Sequence, residues 1–218
     1  MTQTIPARGL LFDADGVLLD SDASVEIAWT RWARRWGLEP AVVLPMVHGR
    51  RSADTVALLI DGTDQQRALA EVDRFEVEDA GAVTPCPGAA ELLASLSAGN
   101  WAVVTSGTRA LVVARLAAAG LPMPAVLITA EDVPRGKPDP AGYLMAAESL
   151  GVPVSDCVVF EDSSAGIAAA VAAGAAVVGV SERALDSDAP LVVHDLSDVR
   201  WDGSVIRCCA DRQPLRSR

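Results

Sequence analysis

Along this chain, short uninterrupted apolar runs alternate with stretches whose apolar residues recur at helical spacing. The runs cover 9–12, 101–104, 125–128, 157–160, 176–179 and 191–193. A strand covered on both faces reads as a continuous apolar run, because neither face is left to water. Helical patterns lie at about 89–97, 108–119, 141–150 and 164–173. Gly120, Gly151 and Gly174 each follow one of them, the place where a helix most readily ends on a left-handed residue. This alternation predicts an α/β fold, a Rossmann-like parallel sheet with crossover helices.

One interval breaks the alternation. Between the first run and Pro85 the pattern is helical only. Val25, Ala28, Trp29, Trp32, Ala33 and Trp36 recur at helical spacing, while Arg31, Arg34 and Arg35 fall mostly elsewhere. Tryptophans beside arginines can bind nucleic acid, but this spacing predicts a core stripe with a solvated basic face. Segments 52–60 and 64–79 are helical as well, with Ser52 placed to cap the first of them. The expected organisation is a Rossmann-like core from 1–19 and 85–218, with an all-helical insertion over 20–84.

Composition narrows the function. With 29 acidic against 18 basic side chains, the net charge of −11 argues against nucleic acid and anionic membranes as partners. The N-terminus carries no signal-peptide pattern, and no stretch approaches ~18 uninterrupted apolar residues. A cytoplasmic protein is expected. Cys86, Cys157, Cys208 and Cys209 lack CxxC spacing and accompanying histidines, which speaks for reduced thiols over a zinc site or disulfide framework.

Candidate chemistry gathers at the ends of the apolar runs. Asp13-Ala14-Asp15-Gly16 follows the first run, so both carboxylates fall at the carboxyl end of a parallel strand, where open α/β sheets bind ligands. Thr105-Ser106-Gly107 ends another run and opens a helix, offering hydroxyls and backbone N–H groups to a phosphate. Lys137 stands in Arg135-Gly136-Lys137-Pro138-Asp139-Pro140, ahead of a helix, where its charge can neutralise a carboxylate and a phosphoryl oxygen together. Glu161-Asp162-Ser163-Ser164 follows a further run. Each segment also has an ordinary reading: an Asp turn, helix caps, a surface lysine. Together they compose one site, and the hard oxygens of Asp13, Asp162 and Glu161 suit Mg²⁺.

These motifs, DADGVLLDS at 13–21, TSG at 105–107, GKPDP at 136–140 and EDSSAG at 161–166, resemble in order those of the haloacid dehalogenase superfamily. The resemblance covers nearly the whole chain and points to phosphatases with a helical cap after the first strand. It implies that Asp13 is the nucleophile, Asp15 the general acid and base, and Lys137 the charge stabiliser. Ser106 and Gly107 would bind phosphate. Asp13, the Asp15 carbonyl and Asp162 would hold Mg²⁺, with Glu161 beside them. Ala14 departs from the family, since many relatives carry a larger apolar residue there.

The stretch His48-Gly49-Arg50-Arg51-Ser52-Ala53-Asp54-Thr55 resembles the cap loop of phosphatases acting on hexitol, 2-deoxyhexose and glycerol phosphates. It implies a small phosphorylated metabolite, a sugar or polyol phosphate, read by His48, Gly49 and Arg50. Alternatives are a phosphoglycolate or nucleotide phosphatase, or a sugar phosphomutase. Against the mutase, Val25 stands where mutases carry a cap histidine, and the KGxSR pattern is missing. Against a dehalogenase stands Asp15. A phospho-receiver domain has a similar ligand set, but is shorter and carries no cap.

Overall fold

The computed structural model describes residues 2–209; Met1 and residues 210–218, the ends of the expected core, lie outside them. In chain order the elements begin with strands β1 (Thr2–Pro6), β2 (Gly9–Phe12) and β3 (Leu19–Asp20). Helices α1 (Asp22–Arg35), α2 (Pro40–Val43), α3 (Ser52–Leu59) and α4 (Gln65–Glu78) follow, then β4 (Thr84–Pro85). From there strands and helices alternate: α5 (Ala89–Ala94), β5 (Trp101–Val104), α6 (Arg109–Ala118), β6 (Val126–Ile128), α7 (Ala141–Leu150), β7 (Cys157–Glu161), α8 (Ser164–Ala173) and β8 (Ala176–Val180). The last strands are β9 (Val192–Val193), β10 (Arg200–Trp201) and β11 (Val205–Cys209).

Six strands form one parallel sheet in the order β6-β5-β2-β7-β8-β9. It is buried on both faces, as the continuous runs required. Leu10 and Phe12 of β2 join one apolar cluster with Trp101, Val103, Val158 and Phe160, while Leu11 points to the other with Ala102, Val104 and Val159. Phe12 stacks on Phe160 with ring centroids 5.0 Å apart, which locks the two central strands together near their carboxyl ends.

Helices α1 to α4 assemble around an apolar cluster of their own. The tryptophans of α1 do form its core, and each satisfies its indole N–H against α4: Trp29 on Glu76, Trp32 on the Ala68 carbonyl, Trp36 on Glu71. The arginines face outward, though Arg31 lies 3.7 Å over the Phe75 ring as well as bonding Glu78.

Several local expectations change. The insertion is not purely helical, because β3 and β4 pair antiparallel where the chain enters and leaves it. Ser52 is the first residue of α3 rather than its cap; its hydroxyl donates to Glu76 Oε2 at 2.9 Å. Helix α5 stops at Ala94, where the Ser95 hydroxyl turns back to the Leu92 carbonyl. A second, antiparallel sheet, β1-β11-β10, joins the N-terminal segment to the far end of the chain. No helix among the described residues is long and apolar enough to cross a membrane.

Candidate active site

Because β2 lies between β5 and β7, the segments after these three strands meet at one carboxyl edge: Asp13 after β2, Thr105 to Gly107 after β5, Asp162 after β7. The helix caps that competed for these residues are supplied by others. Thr108 caps α6 by accepting from the Leu111 N–H, and Ser163 caps α8 by accepting from the Gly166 N–H, which leaves Ser106 and Asp162 available. The Gly107 N–H donates to Thr105 Oγ1 at 3.0 Å.

Lys137 is no surface lysine. Its side chain is 7% exposed and its ammonium donates to Asp13 Oδ1 at 2.5 Å, to Glu161 Oε1 at 2.7 Å and to the Val104 carbonyl at 3.2 Å. Burial alone would lower its pKa, but the carboxylates of Asp13 and Glu161 outweigh burial and hold it above the ordinary lysine range. Glu161, fully buried, also accepts from the Tyr143 hydroxyl and, through Oε2, from the Ser163 N–H and hydroxyl. With four donors around its carboxylate, Glu161 anchors the lysine.

Carboxylate crowding defines the electrostatics. Asp13, Glu161 and Asp162 offer oxygens that all lie within 4.8 Å of one another. At an effective dielectric of ~20, two negative charges at that spacing repel by roughly 3 kcal/mol. Burial first, and the neighbouring carboxylates next to Lys137's opposing pull, raise Asp13 well above the usual carboxylate range. Asp162 is pushed up to about 6 by burial and then by Glu161, while Arg183 pulls it down. An oxygen-only, buried and charge-excessive donor set of this kind fits a hard divalent cation. Gly16 lets the backbone pass close to this cluster: with φ +80°, a Cβ there would lie 2.1 Å from Asp162 Oδ2.

The insertion reaches this edge. His48, Gly49 and Arg50 line the same cleft as Asp13, Asp15, Ser106, Gly107 and Asp162, whereas Lys137 and Glu161 lie behind Asp13 and do not line it. The Ser106 hydroxyl donates to the Gly49 carbonyl at 3.4 Å, and a Cβ on Gly49 would come within 2.8 Å of the Ser163 side chain. His48 and Arg50 are exposed at the rim. Ala14, fully buried, accepts through its carbonyl from the N–H groups of Leu18 and Leu19.

Four participants were missed. Tyr143 braces Glu161. Arg183, in the 3-10 turn after β8, bonds Asp162 Oδ2 at 3.1 Å and also pairs with Asp22 of α1. Arg115 of α6 donates to Asp15 Oδ1 at 2.8 Å, and Glu76 of α4 faces it. The sequence did carry a sign of the last two: each is a charged residue set within an apolar helical stripe, Leu111-Val112-Arg115-Leu116 and Ala68-Val72-Phe75-Glu76.

Comparison with known proteins identifies the family. The sequence model of the haloacid dehalogenase-like hydrolases matches residues 7–174. Hexitol phosphatase A of Escherichia coli (strain K12) is 40% identical over 200 residues, covering 88% of this chain and 93% of its own. The 2-deoxyglucose-6-phosphate phosphatase 2 of Saccharomyces cerevisiae is 33% identical, covering 87% of this chain and 88% of its own. In fold, the crystal structure of a β-phosphoglucomutase from Clostridium difficile superposes with a TM-score of 0.78 at 23% identity, covering 89% of this chain and 94% of its own. The chain belongs to the haloacid dehalogenase-like hydrolases, as one of their phosphatases.

Proposed function

We propose that the protein hydrolyses a sugar or polyol phosphate through a phosphoryl group held covalently on Asp13, with Mg²⁺ as its metal. The observation that carries this reading is the state of Asp13: one carboxylate oxygen is tied to Lys137, while the other accepts no hydrogen bond among the described residues and the carboxyl lines the cleft. A positioned, partly desolvated carboxylate beside a fixed cation is a nucleophile suited to in-line attack on phosphorus.

To Asp15, whose side chain is 33% exposed and lines the cleft, we assign the proton transfers. It protonates the departing alcohol and then takes a proton from the water that opens the phospho-aspartate. Ser106 and the Gly107 amide hold phosphoryl oxygens, the Gly107 N–H exchanging Thr105 Oγ1 for phosphate, and Lys137 offsets their charge. We assign Asp13, Asp162 and the Asp15 carbonyl, with Glu161 behind them, to Mg²⁺, which when bound neutralises charge on the phosphoryl oxygens.

The helices over 20–84 act as the cap. His48, Gly49 and Arg50 at its rim meet the leaving group, and the names of the two phosphatase relatives support a sugar or polyol alcohol there. Val25 lines the cleft with an apolar side chain where mutases carry a cap histidine that helps gate the general acid, which favours hydrolysis over mutase chemistry.

The test is acid quenching of a rapid-mixing reaction with a radiolabelled hexitol phosphate. A phospho-enzyme should form within a turnover, and Asp13→Asn should lose both it and hydrolysis while keeping the wild-type circular dichroism spectrum. Residual turnover within tenfold of wild type would exclude covalent catalysis at Asp13.

A further inference from the structure

In the floor of the cleft, two charged side chains face each other across the boundary between the sheet core and the helical insertion. Arg115, from α6, is 2% exposed. Its Nη1 is held by Asp15, but Nε and Nη2 are buried with no hydrogen-bond partner. Glu76, from α4, is 6% exposed. Its Oε1 accepts from the Trp29 indole at 3.2 Å and its Oε2 from the Ser52 hydroxyl at 2.9 Å, one donor on each oxygen, so each has a lone pair to spare. Arg115 Nη2 and Glu76 Oε1 stand 3.9 Å apart, too far for a hydrogen bond. Both residues line the cleft into which Asp13 and Asp15 open.

Buried donors are nearly always paired, so a guanidinium with two unpaired N–H positions at the floor of a binding cleft is a group prepared for a ligand. We propose that Arg115 and Glu76 form a hydroxyl-reading subsite for the leaving group. One substrate hydroxyl accepts from Arg115 Nη2 and donates to Glu76 Oε1 at once. An oxygen about 2.8 Å from each atom, an ordinary hydrogen-bond distance, spans the 3.9 Å gap.

The pair also says what is refused. A carboxylate or second phosphate would meet Glu76, an ammonium would meet Arg115, and a methylene would leave both groups unpaired. The substrate class is therefore the phosphate monoester of a neutral, polyhydroxylated alcohol. Because the same guanidinium holds Asp15, a correctly placed hydroxyl and the orientation of Asp15 are joined through one side chain. This inference rests on the proposed phosphatase reading and adds to it the residues that select the alcohol.

A matched pair of substrates tests it: a hexitol 6-phosphate and hexyl phosphate, which share chain length and differ in hydroxyls. Wild type should favour the hexitol ester by roughly 100-fold or more in kcat/KM, since a site built to bond hydroxyls strongly rejects their absence. Glu76→Met should lower that ratio at least tenfold, and so should Glu76→Leu, which removes the acceptor with a different side-chain shape in case the methionine variant folds poorly. A brace for Trp29 and Ser52 alone would lower both substrates together and leave the ratio standing. A folded Glu76→Met or Glu76→Leu protein with a ratio within threefold of wild type overturns the subsite while leaving the phosphatase reading intact. A wild-type ratio near one overturns the subsite and the polyol assignment together; phospho-enzyme formation on 4-nitrophenyl phosphate then tells whether covalent catalysis at Asp13 survives.

Discussion

Lys137→Met removes one positive charge from the most crowded point of the molecule and keeps most of the side-chain volume. The ammonium makes bonds of 2.5 and 2.7 Å to carboxylates whose side chains are 9% and 0% exposed. Deleting one partner of a buried ion pair costs about 3–5 kcal/mol, because the remaining charge stays out of water. Here two carboxylates lose their cation, and uptake of a proton by one of them caps the loss near that range. For a chain of this size, each kcal/mol corresponds to roughly 2–4 °C, so Tm should fall by about 6–20 °C in chelator-treated buffer. Saturating Mg²⁺ should recover part of the fall, since a cation that binds the folded state stabilises it. Lys137→Met/Glu161→Gln should be less destabilised than the two single changes predict, with a coupling of about 1–3 kcal/mol. Losing the cation that holds Asp13 should also lower kcat by ~10²–10³-fold or more. Differential scanning calorimetry with and without Mg²⁺, and steady-state kinetics on one substrate, read both effects. A Tm within about 2 °C of wild type together with kcat within tenfold would refute the account of Lys137 as the compensating cation.

The donor set leads to two further expectations. Chelation should silence turnover and Mg²⁺ restore it, and Asp162→Ala should raise the Mg²⁺ requirement steeply or abolish activity; full activity in chelator, or rescue by Zn²⁺ alone, would count against a hard-oxygen site. Asp73, in α4, has a buried Oδ1 without a hydrogen-bond partner and is pushed up to about 6 by burial and then by Glu131. A carboxyl raised in the folded state contributes stability fully below its unfolded pKa of about 4 and loses it as pH rises through 6. Asp73→Asn, which mimics the neutral form, should therefore match wild type at pH 4 and exceed it by about 1 kcal/mol at pH 7–8, after discounting for partial exposure. Thermal melts across that range check it, and a variant less stable than wild type at pH 8 contradicts the assignment.

What could be read along the chain were features that repeat along it. Continuous apolar runs located the parallel strands to within a residue, because burial on both faces favours apolar residues at nearly every position. Helical spacing located α7 and α8 at their observed bounds. The motif residues could be assigned to carboxyl ends of strands because each follows its run directly. Strands β3 and β4, two residues each, are too short to show a period, and β1 mixes exposed with half-buried positions, so its pairing with β11 leaves no local mark.

Tertiary structure decided the state of the charges. Whether Lys137 faced water or Asp13 depended on a contact across 124 positions, and whether Arg115 served Asp15 on one across 100. Charged residues on the apolar stripes of α4 and α6 marked Glu76 and Arg115 as exceptions, yet only the docking of the insertion onto the core brought them to 3.9 Å. Periodicity reports which face of an element is buried. It carries no information about which distant side chain waits there, since partner, distance and desolvation are set when separate elements pack, and those three quantities determine what a buried charge does.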